Sequence, residues 1–286
     1  MFLVLLACTA TVDDRPHTAD PDTADTSATP DTGDTADTAL SERLPAALLL
    51  DGLGTLVDAV EPAEGVVYAS AAGAGVYRWD GEATLVLAHD NPGTLSPGGE
   101  GGAYVSDGTN IFDVAAGTAI TGPESYAPGA LDLFPTDQGD RLSFAGTDPA
   151  TRAVAIYTVK ASGGTVATVG EGYASPLLWI FRPEGETCWA TDVDGTLWLV
   201  ADGEDVAYAV ASGLPTGGLA GNVGGSTLYV GGDRSVLAYD VATGDLTEYP
   251  LDIDDSGIVS AHRSYDATGL VVTTATAVYS WTWPAP

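Results

Sequence analysis

The sequence predicts an all-β chain folded as a six-bladed β-propeller of four-stranded antiparallel blades. Composition is the first reason. Thirty-six glycines and 17 prolines accompany abundant Val, Thr, Tyr and Trp, without a long 3.6-residue apolar period, the pattern of short strands joined by tight turns. The second reason is a repeat. Aromatic or apolar anchors recur at Tyr68, Tyr104, Phe144, Trp189, Tyr229 and Val272, and again at Tyr77, Phe112, Tyr157, Trp198, Leu237 and Tyr279. Successive members lie roughly 35 to 45 residues apart, the period of one blade. The third reason is the ending: the last unit stops at "AVYSWTWP" without an outer strand, and "PAALLLDG" at Pro45 precedes the first inner strand with no other place to go. Joined, they close the ring and leave only short edges.

The chain opens on residues 1–8, whose Leu5-Leu6-Ala7-Cys8 resembles the lipobox of bacterial lipoproteins. That resemblance implies acylation of Cys8 and removal of residues 1–7, so the only contact with a membrane is through an N-terminal lipid. Two or more acyl chains hold a protein stably at a bilayer. Residues 9–43 follow, dominated by Asp, Thr, Ala and Pro, with "DTADT" at Asp22 and "DTGDTADT" at Asp31. Low hydrophobicity and charge of one sign predict a disordered stalk. Its r.m.s. reach is roughly 30 to 35 Å, which clears a lipid surface. The expected location is extracytoplasmic.

Residues 44–286 make the propeller. Each unit reads as an apolar strand, a Gly/Asp turn and a second strand, as in "CWATDVDGTLWLVADG" and "LYVGGDRSVLAYDVATG". Inner strands are expected at "TLVDAVE", "ALDLFP", "PLLWIFRP" and "GIVSAH", and outer strands at "ATLVLAH", "TVATVG", "DVAYAV" and "DLTEYP". The second unit is the weakest, because "TLSPGGEGG" is a poor strand, so five blades and six both stay open here. "LYVGGDRSVLAYDVATGDL" resembles the repeats of quinoprotein-like and YVTN-type bacterial propellers, which implies the fold and no particular activity. A ring closed on itself predicts a monomer.

Charge narrows the partners. Forty Asp and Glu stand against nine Lys and Arg, a net charge of −31, and Lys160 is the only lysine. Such a field repels nucleic acid, so none is expected as a partner. Cys188, in "GETCWAT", reads as a small buried thiol.

Three groups of residues are candidates for chemistry. The loops "GPESYAPGALDLF" and "GEGYASPLLWIF" each place Glu, a spacer, Tyr and Ala ahead of an inner strand. Glu124 with Tyr126, and Glu171 with Tyr173, are therefore expected to bind a ligand, a cation or sugar held by an acid beside an aromatic face. In "DIDDSGIVSAHR", Asp252, Asp254, Ser256 and Gly257 match positions 1, 3, 5 and 6 of a calcium loop, Ser260 the ninth, and Arg263 stands where a bidentate Glu belongs. This predicts Ca2+ at Asp252, Asp254 and Ser256. "DVDG" at Asp192 is a weaker version. The third group is the inner-strand set Asp58, Asp132, Arg182, Asn222 and His262. Six-bladed lactonase-type hydrolases hold a divalent metal in the channel, and on that analogy Asp132 and Asn222 are ligands and His262 a general base. No Gly-rich phosphate loop and no G-x-S-x-G elbow occur. The leading expectation is a binding or scaffold module for a protein or glycan partner, and the alternative is a metal-dependent lactonase-like hydrolase.

Overall fold

The computed structural model describes residues 43–136, 139–183, 187–201, 204–222 and 224–283. The lipidation site expected at Cys8, and all but the last residue of the 9–43 linker, lie outside them. From Leu44 onward the described residues form strands joined by turns and two short 3-10 turns, Gly99–Gly101 and Pro123–Ser125.

Six antiparallel sheets follow one another along the chain. Blade 1 comprises Leu56–Ala63, Val66–Ala71, Gly75–Trp79 and Ala83–Ala88, and blade 2 comprises Leu95–Pro97, Ala103–Ser106, Ile111–Asp113 and Thr118–Ala119. Blade 3 holds Leu131–Phe134, Arg141–Thr147, Val154–Lys160 and Ala167–Glu171, and blade 4 holds Leu177–Phe181, Cys188–Asp192, Leu197–Val200 and Tyr208–Ala211. Blade 5 is Leu219–Gly221, Thr227–Gly231, Ser235–Asp240 and Leu246–Asp252. Blade 6 takes Ile258–Arg263, Gly269–Thr274 and Ala277–Thr282, and its outer strand is Ala47–Asp51 from the start of the propeller. The ring closes as the sequence predicts, with Leu48 opposite Tyr279 and Leu50 opposite Val278.

Blade 2 is the short one, its inner strand three residues and its outer strand two. Glycine ends it early: the chain turns at Gly98 to Gly102 immediately after Pro97. A feature absent from the sequence reading precedes ring closure. Leu44–Pro45 pairs in parallel with the outer strand of blade 5, opposite Leu251 and Asp252. Its two residues are too few to show a period. Leu44 and Ala46 there pack against the buried cluster that holds Leu251, Ile253 and Trp281.

Each seam between neighbouring blades carries its own apolar core. Alternate residues of one strand serve opposite seams, because side chains alternate across a sheet. In Val66–Ala71, Val67, Ala69 and Ala71 pack with Val271 and Val278 of blade 6. Tyr68 joins Leu95 and Val105 of blade 2 instead. Buried between sheets on both faces, the middle strands are apolar almost throughout, which explains "LVV", "LYVG" and "CWAT". Each fully buried Leu or Phe contributes about 1.5–3 kcal/mol over its exposed state. Close packing also demands glycine where one blade's loop meets the next: at Gly218, φ is +114° and a Cβ would lie 2.1 Å from the Ala261 nitrogen.

Cys188 is buried among Ile180, Ala190 and Val200, and burial pushes its thiol up to about 12. In a Cys8→Ser chain, native Cys188 should therefore react with a thiol reagent at least about a hundredfold slower than in denaturant. Timed labelling read by mass spectrometry checks this; equal rates would contradict it.

Candidate functional site at the channel mouth

All six inner strands run along the axis, each with one backbone edge unpaired in its own sheet. Unpaired edges need partners, and two aspartates supply them across seams. Asp58, fully buried in blade 1, accepts the Leu95 N–H of blade 2 at 2.6 Å through Oδ2. Its Oδ1 accepts the Ala59 N–H at 2.8 Å and meets His262 Nε2 of blade 6 at 2.8 Å. One carboxylate thus ties three consecutive blades together. In blade 3, Asp132 Oδ2 accepts the Arg182 N–H at 2.6 Å. The Arg182 guanidinium reaches back to blade 3, its Nη1 donating to Ser143 Oγ at 3.2 Å and its Cζ lying 3.9 Å from the Phe134 ring centroid.

Rings meet across the axis. Trp179 of blade 4 makes an edge contact with His262 of blade 6 at 5.8 Å between centroids, and its Nε1 donates to the Thr216 carbonyl at 2.9 Å. Blade 5 stands between these two blades, so the contact links strands that share no seam.

A cavity of about 170 Å³ opens where the inner strands end, lined from all six blades. Asp132, Arg182, His262 and Arg263 meet there with Glu61 and Tyr265. Tyr265 is 58% exposed, and Glu61 accepts its N–H at 3.2 Å. Burial pushes the Asp132 carboxyl up to about 6, against the pull of the Arg182 N–H and the His262, Arg263 and Arg182 charges. Burial depresses the His262 imidazolium, but the Asp58 charge and hydrogen bond outweigh it and leave its pKa raised.

Both shifts have one sign for stability. Between about pH 4 and 6 the folded chain holds a proton on Asp132 that the unfolded chain releases, so stability falls as pH rises through that window. The His262 contribution is complete below its unfolded value of 6.5 and is lost as pH rises through its raised folded value. At the acid end, Asp148, Asp240 and Asp266 are held low, chiefly by hydrogen bonds from Thr151, Thr243 and Thr268. Their contributions are lost as pH falls below the ordinary carboxylate value. Urea midpoints are therefore expected to peak near pH 5 and to decline towards pH 8, with a shallower decline in Asp132→Asn. A midpoint rising from pH 5 to 8 would contradict the assignment.

The expected sites fare differently. Tyr173 is 8% exposed and packs edge-on to Trp198 at 5.6 Å, in the seam between blades 3 and 4. Tyr126 packs on Tyr157 at 4.7 Å and on Phe144 at 6.3 Å. Glu124 folds back on the Gly122 N–H at 2.6 Å, and Glu171 ends the outer strand of blade 3. Both rings pack in seams, because a Tyr ahead of an inner strand falls where two blades meet, while Glu124 and Glu171 stay exposed beside them.

In the expected calcium loop of Asp252, Asp254 and Ser256, Asp254 is the centre of local hydrogen bonds. The Asp254 carboxylate accepts hydrogen bonds from the Ser256 N–H and hydroxyl, and from Thr274 and Thr276 Oγ1 at 2.7 Å each. Burial raises its pKa, but these donors outweigh burial and hold it well below the usual carboxylate range. A cation would have to displace them. Asp252 ends the outer strand of blade 5, and Asp192 caps its own turn through the Asp194 and Thr196 N–H groups.

A divalent metal does not fit the channel residues either. Asp58 has both oxygens occupied, and Asn222 is spent on its hairpin, donating to Ser226 Oγ at 2.9 Å and accepting the Thr227 N–H at 3.1 Å. Asp132 is surrounded by Arg182, Arg263 and His262. Among the described residues no three His, Cys, Asp or Glu side chains are grouped to hold a metal. Sequence reading placed Asp58, Asp132, Arg182 and His262 on inner strands but missed Glu61 and Tyr265, and it took Arg263 only as a misfit in a calcium loop. Polar residues interrupting apolar strands, in "AVEPAEG" and "AHRSYD", were the available signal.

No family model matches the sequence, and no curated protein matches it. Solved structures do. A gluconolactonase from Xanthomonas campestris superposes with a TM-score of 0.64 at 16% identity, over 83% of this chain and 89% of its own. Regucalcin, a calcium-binding protein from Agrobacterium tumefaciens, gives 0.59 at 15% identity, over 85% and 96%. A streptogramin B lyase gives 0.56 at 12% identity, over 82% and 95%. At these identities the likeness is one of fold: the chain is a six-bladed β-propeller.

Proposed function

We propose that this chain is a binding propeller that receives a polar group of its partner, a glycan end or a protein side chain, at the channel mouth where the inner strands end. The observation that carries the reading is the convergence of Asp132, Arg182, His262 and Arg263 from three blades on one open cavity, with Tyr265 exposed at its rim. Concave sites with a few convergent polar groups are where ligands bind. A glycan array and a pull-down from the host's own surface proteins, each with Tyr265→Ala alongside, test it. Retention by the native chain and its loss in the variant are expected; equal retention by both would end the reading.

A lactonase-like hydrolase is the second reading, supported by the gluconolactonase among the similar structures and by an Asp132 carboxyl near neutrality. Asp132 would take a proton from water as oxygen adds to the lactone carbonyl; the ring C–O bond then breaks and the alkoxide takes the proton. Arg182 and Arg263 would stabilise the oxyanion. Hydrolysis of a sugar lactone above background, abolished in Asp132→Asn, would favour this reading over simple binding. A divalent ion draws support from the calcium-binding regucalcin, while the donor sets described above speak against it. Calorimetric calcium titration of the chelator-treated chain is expected to give no saturable heat.

The location belongs to the same proposal: acylation at Cys8, with residues 9–43 carrying the propeller away from an extracytoplasmic membrane face. Mass spectrometry of the membrane fraction checks it; a soluble chain with unmodified Cys8 in its own host would refute it.

A further inference from the structure

We propose a second binding site, on blade 5, for a neutral sugar held between aromatic rings and uncommitted oxygens. A cavity of about 580 Å³ lies there, and it shares no lining residue with the channel mouth. Tyr229 and Tyr249 of blade 5 supply two of its rings, and Trp283, just past the last strand of blade 6, supplies the third.

Strand register makes the hollow. Tyr229 stands opposite Ala238, Ala238 opposite Thr247, and Thr227 opposite Asp240. Alternation puts these side chains and Tyr249 on one face of the sheet, the face that packs towards blade 6. Ala238 offers only a methyl between Tyr229 and Thr247, so the face is open over it.

The oxygens beside the rings are free to bind. The Asp245 carboxylate and the Thr227 and Thr247 hydroxyls line the cavity and make no hydrogen bond among the described residues. Asp240 keeps one oxygen spare, its Oδ1 accepting the Ala242 and Thr243 N–H groups at 2.9 Å. Together they accept from sugar hydroxyls and donate to them.

Ring geometry selects the class. Trp283 stacks on Tyr229 at 4.8 Å between centroids with 15° between planes. No guest enters between rings that close, so the pair cannot wall a cage around an ammonium ion. What remains is the other indole face, a flat platform suited to the C–H side of a sugar ring. No Lys or Arg is among the lining residues described, and Asp240 and Asp245 repel acidic sugars, which leaves the neutral ones. The volume lies within the range of about 300–1,000 Å³ usual for ligand pockets.

Calorimetry on the full chain at pH 7 tests the proposal, with glucose, galactose, N-acetylglucosamine, lactose and maltose at millimolar concentration and glucuronate and choline as charged comparators. Saturable binding of at least one neutral sugar is expected, weakened at least about tenfold in Trp283→Ala and at least about threefold in Asp245→Ala. Asp245 is exposed and its side chain makes no hydrogen bond, so Asp245→Ala should keep the native unfolding midpoint and decides the matter if Trp283→Ala is destabilised. Flat traces with every neutral sugar, or tighter binding of choline or glucuronate, would overturn the proposal. Sugar binding indifferent to both substitutions would overturn it as well, and if that binding needed Tyr265 the mouth would stand as the sugar site.

Discussion

A chain that begins at Gly52 should unfold at least about 15 °C below one that begins at Arg43, or lose its single cooperative transition. The shortened chain lacks Ala47–Asp51, the outer strand of blade 6, and with it the pairing to Ala277–Thr282. Leu50 leaves the core that joins blade 6 to blade 1, exposing Val278 beside it. Buried Leu50, half-buried Leu49 and a ladder of hydrogen bonds are lost together with the cover of Val278, and at about 1.5–3 kcal/mol per large buried side chain this is a large share of a domain's stability. A chain beginning at Ala47 is the internal comparison. It gives up only the two-residue parallel pairing to blade 5 and the packing of Leu44 and Ala46, so its loss should be a few degrees. Thermal unfolding by circular dichroism reads all three, and equal midpoints would show that ring closure contributes little.

Asp58→Ala should cost about 3–5 kcal/mol, since removing one partner of a buried ion pair strands the other. For a domain of this size that lowers the midpoint by roughly 8–15 °C. The loss has three parts: the Leu95 N–H without an acceptor, His262 without its counter-ion, and a gap where blades 6, 1 and 2 meet. Asp58→Asn retains an oxygen for Leu95 and should fall about midway. A loss under about 1 kcal/mol for Asp58→Ala would mean that the seams, and not the carboxylate, hold these blades in place.

The propeller was legible because its physics is written repeatedly along the chain. Tyr68, Phe144, Trp189 and Tyr229 sit in second strands buried between sheets, where an apolar anchor recurs once per blade. Leu44–Pro45 was not legible, since two residues cannot display an alternation. Blade 2 was ambiguous for a related reason: Pro97 and four of the next five residues, all glycine, cut its inner strand to three residues.

The site was half legible. Asp58, Asp132 and His262 lie on inner strands as read and Arg182 one residue past its own, but nothing along the chain says that Asp58 meets His262, 204 residues away. Motif matching reads spacing and not partners. Asp254 sits at the third position of a calcium loop, yet Ser256, Thr274 and Thr276 turn their hydroxyls to it and use the oxygens a cation would need. Nothing along the chain says that Tyr126 packs on Tyr157 of its own blade or Tyr173 on Trp198 of the next.

Crystals of the propeller soaked with a panel of small polar fragments, neutral and anionic, would test the central claim most directly. Fragment density is expected at the channel mouth, against Arg263 and Asp132 and beside Tyr265. Fragments gathering elsewhere on the ring while the mouth stays closed by protein side chains would contradict it.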